Sequence, residues 1–147
     1  MNERFLFRGK RKDNGEWVTG YLIQGKKTYI ATTEAINYMV VSTSYMASIK
    51  LVEVIPETVG QYTGLKDKNG KLIFTGDILE SRASENKEDW KKWVVTFSDG
   101  SFCFEREIPR KRKHKYEENL LCVDEIELYG LTVIGNIHDN PELLQRR

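Results

Sequence analysis

The sequence predicts a mostly β protein, built from hairpins as a small SH3-like barrel or sandwich with a short C-terminal helix. Turn signals centred on glycine separate apolar runs of strand length. Many of these runs are rich in β-branched or aromatic residues, and apolar stripes at helical spacing are scarce. Many short strands joined by such turns are typical of barrels and sandwiches.

The first turn signal is Asp13-Asn14-Gly15, which separates the stretches Phe5–Lys12 and Glu16–Gln24. Asn-Gly tolerates the positive φ angles of a type I′ turn, and the twist of that turn matches the twist of two paired strands. The sequence therefore predicts an N-terminal β-hairpin.

Two further turn signals, Asp67–Gly70 and Ser98–Ser101, have the same character and predict two more hairpins. The stretches that they join are Val59–Leu65 with Lys71–Phe74, and Trp93–Phe97 with Phe102–Glu105. In Trp93–Phe97 the large side chains recur at every second position, which is the period of a strand.

The remaining apolar runs are also of strand length. They are Tyr29–Ala31, Met39–Val41, Leu51–Ile55, Ile73–Leu79, Leu120–Val123, Ile126–Tyr129 and Leu131–Ile134. We interpret the polar stretch Thr32–Ser48 as a long loop. Asn140 and Pro141 suit the N-cap and the first position of a helix, so a short helix is predicted to begin there. The sequence predicts one domain over 1–147. The alternative is two lobes, an N-terminal β lobe at 1–60 and a barrel-like lobe at 61–147.

Charge and hydropathy restrict the class of protein. The 147 residues include 23 Lys and Arg against 22 Asp and Glu, a net charge of +1, so bulk charge does not predict a polyanion-binding protein. No apolar run approaches the roughly 18 residues that cross a bilayer, and the N-terminal stretch lacks the apolar region of a secretory signal. We expect a cytoplasmic protein with no membrane partner.

Metal and thiol chemistry is not predicted. The candidate ligands are Cys103, His114, Cys122 and His138, and none of them form the closely spaced pairs of a structural zinc site. Both cysteines lie within apolar stretches, so we interpret them as small buried residues. We expect no metal and no cofactor.

The acidic turn residues are predicted to be structural. They are Asp67, Asp77, Asp99 and Asp139. A short acceptor side chain in a turn caps backbone donors, which explains such residues without catalysis. The nucleophile, metalloprotease, phosphate-loop and dinucleotide motifs are missing from the sequence, so we predict a protein that is not an enzyme. For an enzyme, His138 beside Asp139 would be the first place to look.

Two features are candidates for binding. The basic run consists of Arg110, Lys111, Arg112, Lys113 and Lys115, with His114 among them. If the basic run binds nucleic acid, its cations contact phosphates. Lys10–Lys12 would then add cations to the same basic surface, provided that they lie nearby. The alternative is a solvated loop balanced by nearby glutamates. Trp90 lies among charged residues and is the candidate for an exposed interface side chain.

Four blocks of the sequence follow one another in a recognisable order. They are Phe7–Lys10 with Gly15–Val18, QYTGLKDKNGK at Gln61–Lys71 continuing to Ile73–Leu79, Val95–Phe102 with Asp99-Gly100, and VIGNIHDNPELL at Val133–Leu144. Together these blocks resemble the YopX family of phage and prophage proteins. The resemblance implies a β-rich fold, a mobile-element origin and the cytoplasm of a bacterial host. It implies no activity and no catalytic residues. We therefore expect an accessory protein that acts through macromolecular binding or as a homo-oligomer, with nucleic-acid binding through residues 110–115 as the alternative.

Overall fold

The computed structural model describes residues 5–41, 44–81, 85–87, 90–106 and 130–144, with only the backbone for 33–49 and 106. Its strands are β1 (Phe7–Lys10), β2 (Trp17–Gln24), β3 (Thr28–Val41), β4 (Ser44–Glu53), β5 (Gly60–Lys66), β6 (Leu72–Phe74), β7 (Asp77–Ser81), β8 (Lys91–Ser98), β9 (Ser101–Arg106) and β10 (Thr132–Asn136). Two 3-10 helices cover Pro56–Thr58 and Pro141–Leu144. The chain forms two compact units, Met1–Tyr62 and Thr63–Arg147.

The first unit is an antiparallel sheet with the strand order β4-β3-β2-β1-β5. The predicted N-terminal hairpin is confirmed, with Phe7 opposite Gly20 and Lys10 opposite Trp17. Gly15 has a φ of 73°, and its N–H donates to the carbonyl of Arg11 at 2.9 Å. Such a positive φ favours glycine, which explains why the turn forms at this point.

The loop predicted at Thr32–Ser48 is wrong, because β3 and β4 run through it as a long hairpin. Beyond a register shift after Ala31, the pairs run without interruption from Ile36 opposite Ile49 to Val41 opposite Ser44. Small polar residues in this stretch resemble loop composition. Strand formation here depends on pairing between two segments, which a single stretch of sequence does not display.

The strands of the first unit approach each other closely where side chains are small. Ile30 and Val54 are fully buried, and a methyl group on Gly9 would lie 3.0 Å from the Val54 Cβ. A methyl group on Gly20 would collide with the carbonyl oxygen of Ala31 on β3. Glycine at these positions therefore allows the buried layer to close at native packing density.

The second unit holds an antiparallel sheet with the strand order β10-β7-β8-β9, and β6 pairs with the last part of β5. The predicted hairpin at Ser98–Ser101 is confirmed, with Phe97 opposite Phe102. Its turn residues Asp99 and Gly100 have φ angles of 50° and 80°. The core of this unit contains Ile73, Leu79, Trp93, Val95, Phe104, Leu131 and Val133, with Leu65 packed against it.

The mostly β class is confirmed, but the described strands do not close into a barrel. Among the described strands, the sheet of the second unit ends at β9 on one side and at β10 on the other. The helix predicted at the C-terminus is a 3-10 helix of 4 residues, Pro141–Leu144, in the part of the chain that the structure describes. The predicted strands at 120–123 and 126–129 lie outside the described residues.

Candidate functional site

Asp67 lies in the turn between β5 and β6, and its buried carboxylate holds backbone groups. Its Oδ1 accepts hydrogen bonds from the N–H groups of Asn69 at 2.8 Å and Lys71 at 2.9 Å, which closes the turn. Its Oδ2 accepts a hydrogen bond from the N–H of Val133 at 3.0 Å. One side chain therefore joins this turn to β10, 66 residues further along the chain.

The pKa of Asp67 is lowered even though the residue is buried. Desolvation is the largest single effect, and by itself it raises the pKa, because a buried carboxylate loses its hydration. Hydrogen bonds from the N–H groups of Val133, Lys71 and Asn69, together with the charge of Lys71, outweigh it. The carboxylate is therefore ionised at neutral pH, which suits an acceptor of backbone hydrogen bonds and does not suit a general acid.

The segments 75–78 and 135–141, both within the blocks that resemble YopX proteins, meet where β7 pairs with β10. Asp77 lies opposite Asn136 in this ladder. The N–H of Gly76 donates to the carbonyl of Val95 at 2.8 Å, and its own carbonyl accepts from the N–H of Ile137 at 2.9 Å. Gly76 has a φ of 88°, so the corner requires a residue without a side chain.

Asn136 is the hub of the following corner. Its Oδ1 accepts hydrogen bonds from the N–H groups of His138 at 3.0 Å and Asp139 at 2.9 Å. Its Nδ2 donates to the Asp139 Oδ2 at 3.1 Å. The Oδ1 of Asn140 accepts from the N–H of Asn136 at 3.3 Å, and the N–H of Asn140 donates back to the carbonyl of Asn136 at 2.9 Å. These bonds fix the chain direction into the 3-10 helix that begins at Pro141.

Of the other acidic turn residues, Asp77 binds a backbone N–H group and Asp99 lies exposed in its turn. The Oδ2 of Asp77, which is fully buried, accepts a hydrogen bond from the N–H of Phe74 at 2.8 Å. Asp99 is exposed in the β8–β9 turn. His138 lies beside Gly76, since a methyl group on Gly76 would be 3.8 Å from the His138 Nε2. The side chains of this corner therefore hold the backbone in place, and its carboxylates accept hydrogen bonds within the turns.

The remaining candidate residues are distributed differently. The basic run at 110–115 lies outside the described residues, and so do His114 and Cys122. Cys103 is half-buried, with its Sγ 3.6 Å from the Ser101 Oγ. No group of three His, Cys, Asp or Glu side chains suited to a metal ion occurs in the described part of the chain.

Trp90, the interface candidate, is half-buried, and the Nζ of Lys87 lies 5.8 Å from the centre of its ring. The neighbouring tryptophan Trp93 belongs to the core. A side chain half covered in this way offers less contact surface than the exposed indole that the surrounding charges suggested. Trp90 stays a predicted interface residue.

A shallow cleft of about 350 Å³ lies on the first unit, and its charges are mostly paired. Its lining residues are Arg11, Lys12, Asp13, Lys50, Leu51, Val52 and Glu53. The guanidinium of Arg11 holds both oxygens of Asp13, at 2.9 and 2.6 Å, and this hydrogen-bonded pair lowers the pKa of Asp13. Pairing of this kind reduces the attraction of the cleft for an anion.

Glu53 completes the cleft and binds two lysines. Its Oε1 lies 3.0 Å from the Nζ of Lys12, and its Oε2 lies 3.1 Å from the Nζ of Lys27. Hydrogen bonds from these two lysines lower the pKa of Glu53. Lys10 and Arg8 lie over the ring of Trp17, at 5.8 and 4.7 Å from its centre. The cations that were expected to support nucleic-acid binding therefore have partners within the first unit.

Exposed apolar side chains are the clearest surface feature in the described residues. Phe97 is 57% exposed at the end of β8 and packs edge-on against Phe102, with ring centres 5.1 Å apart. Leu51 is 46% exposed on β4. No described strand pairs with the outer side of β4, which is the last strand of its sheet. Exposed apolar residues on an edge strand are typical of protein interaction sites.

The fold and its corners define a class of all-β protein with two open antiparallel sheets, in which side-chain carboxylates and amides hold the turns. Within that class the chain belongs to the YopX family, whose model, described as YopX protein, matches residues 6–145. The chain is similar to protein EF1440 from Enterococcus faecalis, known from its crystal structure, with 26% identity and a TM-score of 0.62. The match covers 95% of this chain and 96% of that one. No curated protein matches. In the described residues, no helix is long and apolar enough to cross a membrane.

Proposed function

We propose that this chain is a non-enzymatic accessory protein of a phage or prophage, which acts in the bacterial host cytoplasm by binding a macromolecule, including further copies of itself. The observation that carries the proposal is the open edge of β4 in the first unit. Its N–H and C=O groups on one side have no strand beside them among the described residues. Such an edge is a template for pairing with another chain.

The corners of the second unit support the non-enzymatic part of the proposal. The carboxylate oxygens of Asp67 and the Oδ1 of Asn136 accept hydrogen bonds from backbone N–H groups. The lowered pKa of Asp67 keeps it as an anion that accepts hydrogen bonds. A catalytic acid needs a pKa near the working pH, and this geometry provides the opposite.

Light scattering coupled to size-exclusion chromatography tests self-association of the intact chain. We expect a mass above that of one chain, rising with protein concentration. Crosslinking in induced host cells, followed by reconstitution with the purified partner, tests binding to other macromolecules. A monomer that binds nothing would contradict the proposal, and so would a turnover activity that is lost in His138→Ala while the fold is retained.

Nucleic-acid binding through residues 110–115 is the alternative, carried by five permanent cations in six positions of the sequence. An electrophoretic shift assay tests it with the wild type and with a variant in which Arg110, Lys111, Arg112 and Lys113 are serine. For this alternative we expect weaker binding by the variant and a shallower dependence on salt. Equal affinity of the two proteins would exclude it.

A further inference from the structure

The β3–β4 hairpin extends past the sheet to which it belongs. The pairing of β2 with β3 ends at Gly20 opposite Thr32, while the pairing of β3 with β4 continues to Val41 opposite Ser44. Residues 36–41 and 44–49 thus form a two-stranded ribbon, here called the ribbon, without a third strand among the described residues. Two-stranded ribbons are marginally stable in water, so a long one gains stability from a further strand.

The sequence of the ribbon lacks the usual protection of a sheet edge. Between Thr32 and Lys50 the only charged residue is Glu34, and there is no lysine, arginine or proline. Natural edge strands are commonly short, bulged, charged or interrupted by proline. In the second unit the edge strand β10 follows this rule, since it has 5 residues and a register shift between Val133 and Gly135. In β4 the register runs unshifted from Ser44 to Ile49.

We infer that the outer edge of β4 pairs with the same edge of a second copy, antiparallel and across a two-fold axis. This inference rests on the proposed self-association and locates it in the chain. An antiparallel pair of identical strands is a closed contact in which each copy offers the same surface. Because residues 44–49 carry no charge, no like charges face each other along this pair.

The charges that flank the ribbon fit the same arrangement. Lys50 is the first charged residue after the uncharged stretch. In an antiparallel pair centred on this stretch, the two copies of Lys50 lie at opposite ends of the contact and do not repel. A nucleic acid would need cations along the edge, and a charged peptide would need opposite charges, and neither is present in 44–49. The uncharged edge therefore favours an uncharged strand as its partner, and residues 44–49 of a second copy are such a strand.

Charge substitutions at Ala47, in the middle of the uncharged stretch, test the pairing by light scattering on the full chain. We expect a dimer for the wild type, and half that mass for Ala47→Lys and for Ala47→Glu alone. An equimolar mixture of the two variants is expected to recover the dimer mass, because the introduced charges are then opposite. Thr19→Lys, exposed on the interior strand β2, is the matched control and is expected to keep the wild-type mass.

The outcomes separate this inference from the proposed function. A wild-type oligomer that keeps its mass in Ala47→Lys would overturn the ribbon inference and leave self-association in place. A wild type that is monomeric at all concentrations would overturn both. Hydrogen exchange of the wild type needs no variant: amides in 44–49 are expected to exchange more slowly as protein concentration rises. Exchange that is slow but independent of concentration would show that another segment of the same chain covers β4, and would also overturn the inference.

Discussion

Asp67 illustrates at the scale of one residue how this protein uses its acidic side chains. Its carboxylate is buried, ionised and shared among three backbone N–H groups in two segments. The turn that contains it is recognisable from Asn69-Gly70, so its role within the turn could be predicted from sequence. Its bond to Val133 could not, because the pairing of two segments 66 residues apart leaves no local pattern.

Replacing Asp67 with asparagine is expected to destabilise the protein by about 1–3 kcal/mol, since an amide nitrogen cannot accept the hydrogen bond now received by Oδ2. Chemical denaturation at neutral pH measures this difference. Asp99→Asn, exposed in another turn, is the matched control and is expected to change stability by less than about 0.5 kcal/mol. An equal effect of the two substitutions would contradict the role assigned to Asp67.

The same pair of proteins has a predictable pH dependence. The pKa of Asp67 in the folded state is lower than the value of about 3.9 in an unfolded chain, so its contribution is complete above that value. The contribution is lost as the pH falls through the lowered pKa of the folded state. We expect the stability difference between wild type and Asp67→Asn to be constant from neutral pH to about pH 5 and to shrink below about pH 4. A difference that grows on acidification would contradict the lowered pKa.

Gly135 is a second residue whose identity follows from close contact. A methyl group there would lie 2.5 Å from the Asn140 Oδ1, the atom that accepts the N–H of Asn136. Gly135→Ala is expected to cost about 1–3 kcal/mol through overpacking and the displaced amide. Gly25→Ala, exposed and with open space around the added methyl, is the control and should be nearly neutral. Thermal unfolding of both variants measures the contrast, and equal melting temperatures would refute the assigned contact.

At the scale of elements, turn chemistry predicted the hairpins better than composition predicted the strands. Asn-Gly and Asp-Gly signals mark the β1–β2 and β8–β9 turns because the positive φ angles of Gly15, Asp99 and Gly100 are a local property of these residue types. The ribbon depends instead on the pairing of two neighbouring segments with each other, and the terminal 3-10 helix depends on a distant partner. The stretch Thr32–Ser48 is polar enough to resemble a loop, and only its cross-strand register makes it a hairpin.

The terminal 3-10 helix has one such distant partner. The Nζ of Lys92 on β8 donates to the carbonyl of Leu143 at 2.8 Å, and the N–H of Leu143 donates to the carbonyl of Asn140 at 3.0 Å. In Lys92→Met we expect faster hydrogen exchange at Leu143, because the helix loses a hydrogen bond from a charged donor, worth roughly 1.5–3 kcal/mol. Lys91→Met, at the exposed neighbouring position, is the control. Unchanged exchange in Lys92→Met would show that this bond does not hold the helix.

For the whole molecule, the sequence supported the family and the β class but could not locate an interaction surface. The net charge is close to neutral and the aromatic residues are scattered, so the sequence does not single out one surface for binding. The strand pairing then shows which strands lie inside a sheet. The unpaired edge of β4 emerges only from the strand order, since an edge is defined by the neighbour that a strand lacks among those described. The basic run and Trp90 are visible as single segments of sequence, which explains why they were the first candidates.

An edge-to-edge dimer links the stability of the molecule to its concentration. A partner that binds only the folded chain raises the free energy of unfolding in proportion to the logarithm of the partner concentration, and here the partner is the chain itself. We therefore expect the melting temperature of the wild type to rise with protein concentration, and that of Ala47→Lys to be lower and constant. Thr19→Lys should retain the wild-type dependence, because its strand lies inside the sheet. If the melting temperature of the wild type is the same across a hundredfold range of concentration, the folded chain does not depend on a second copy, and the edge-to-edge dimer through β4 is refuted.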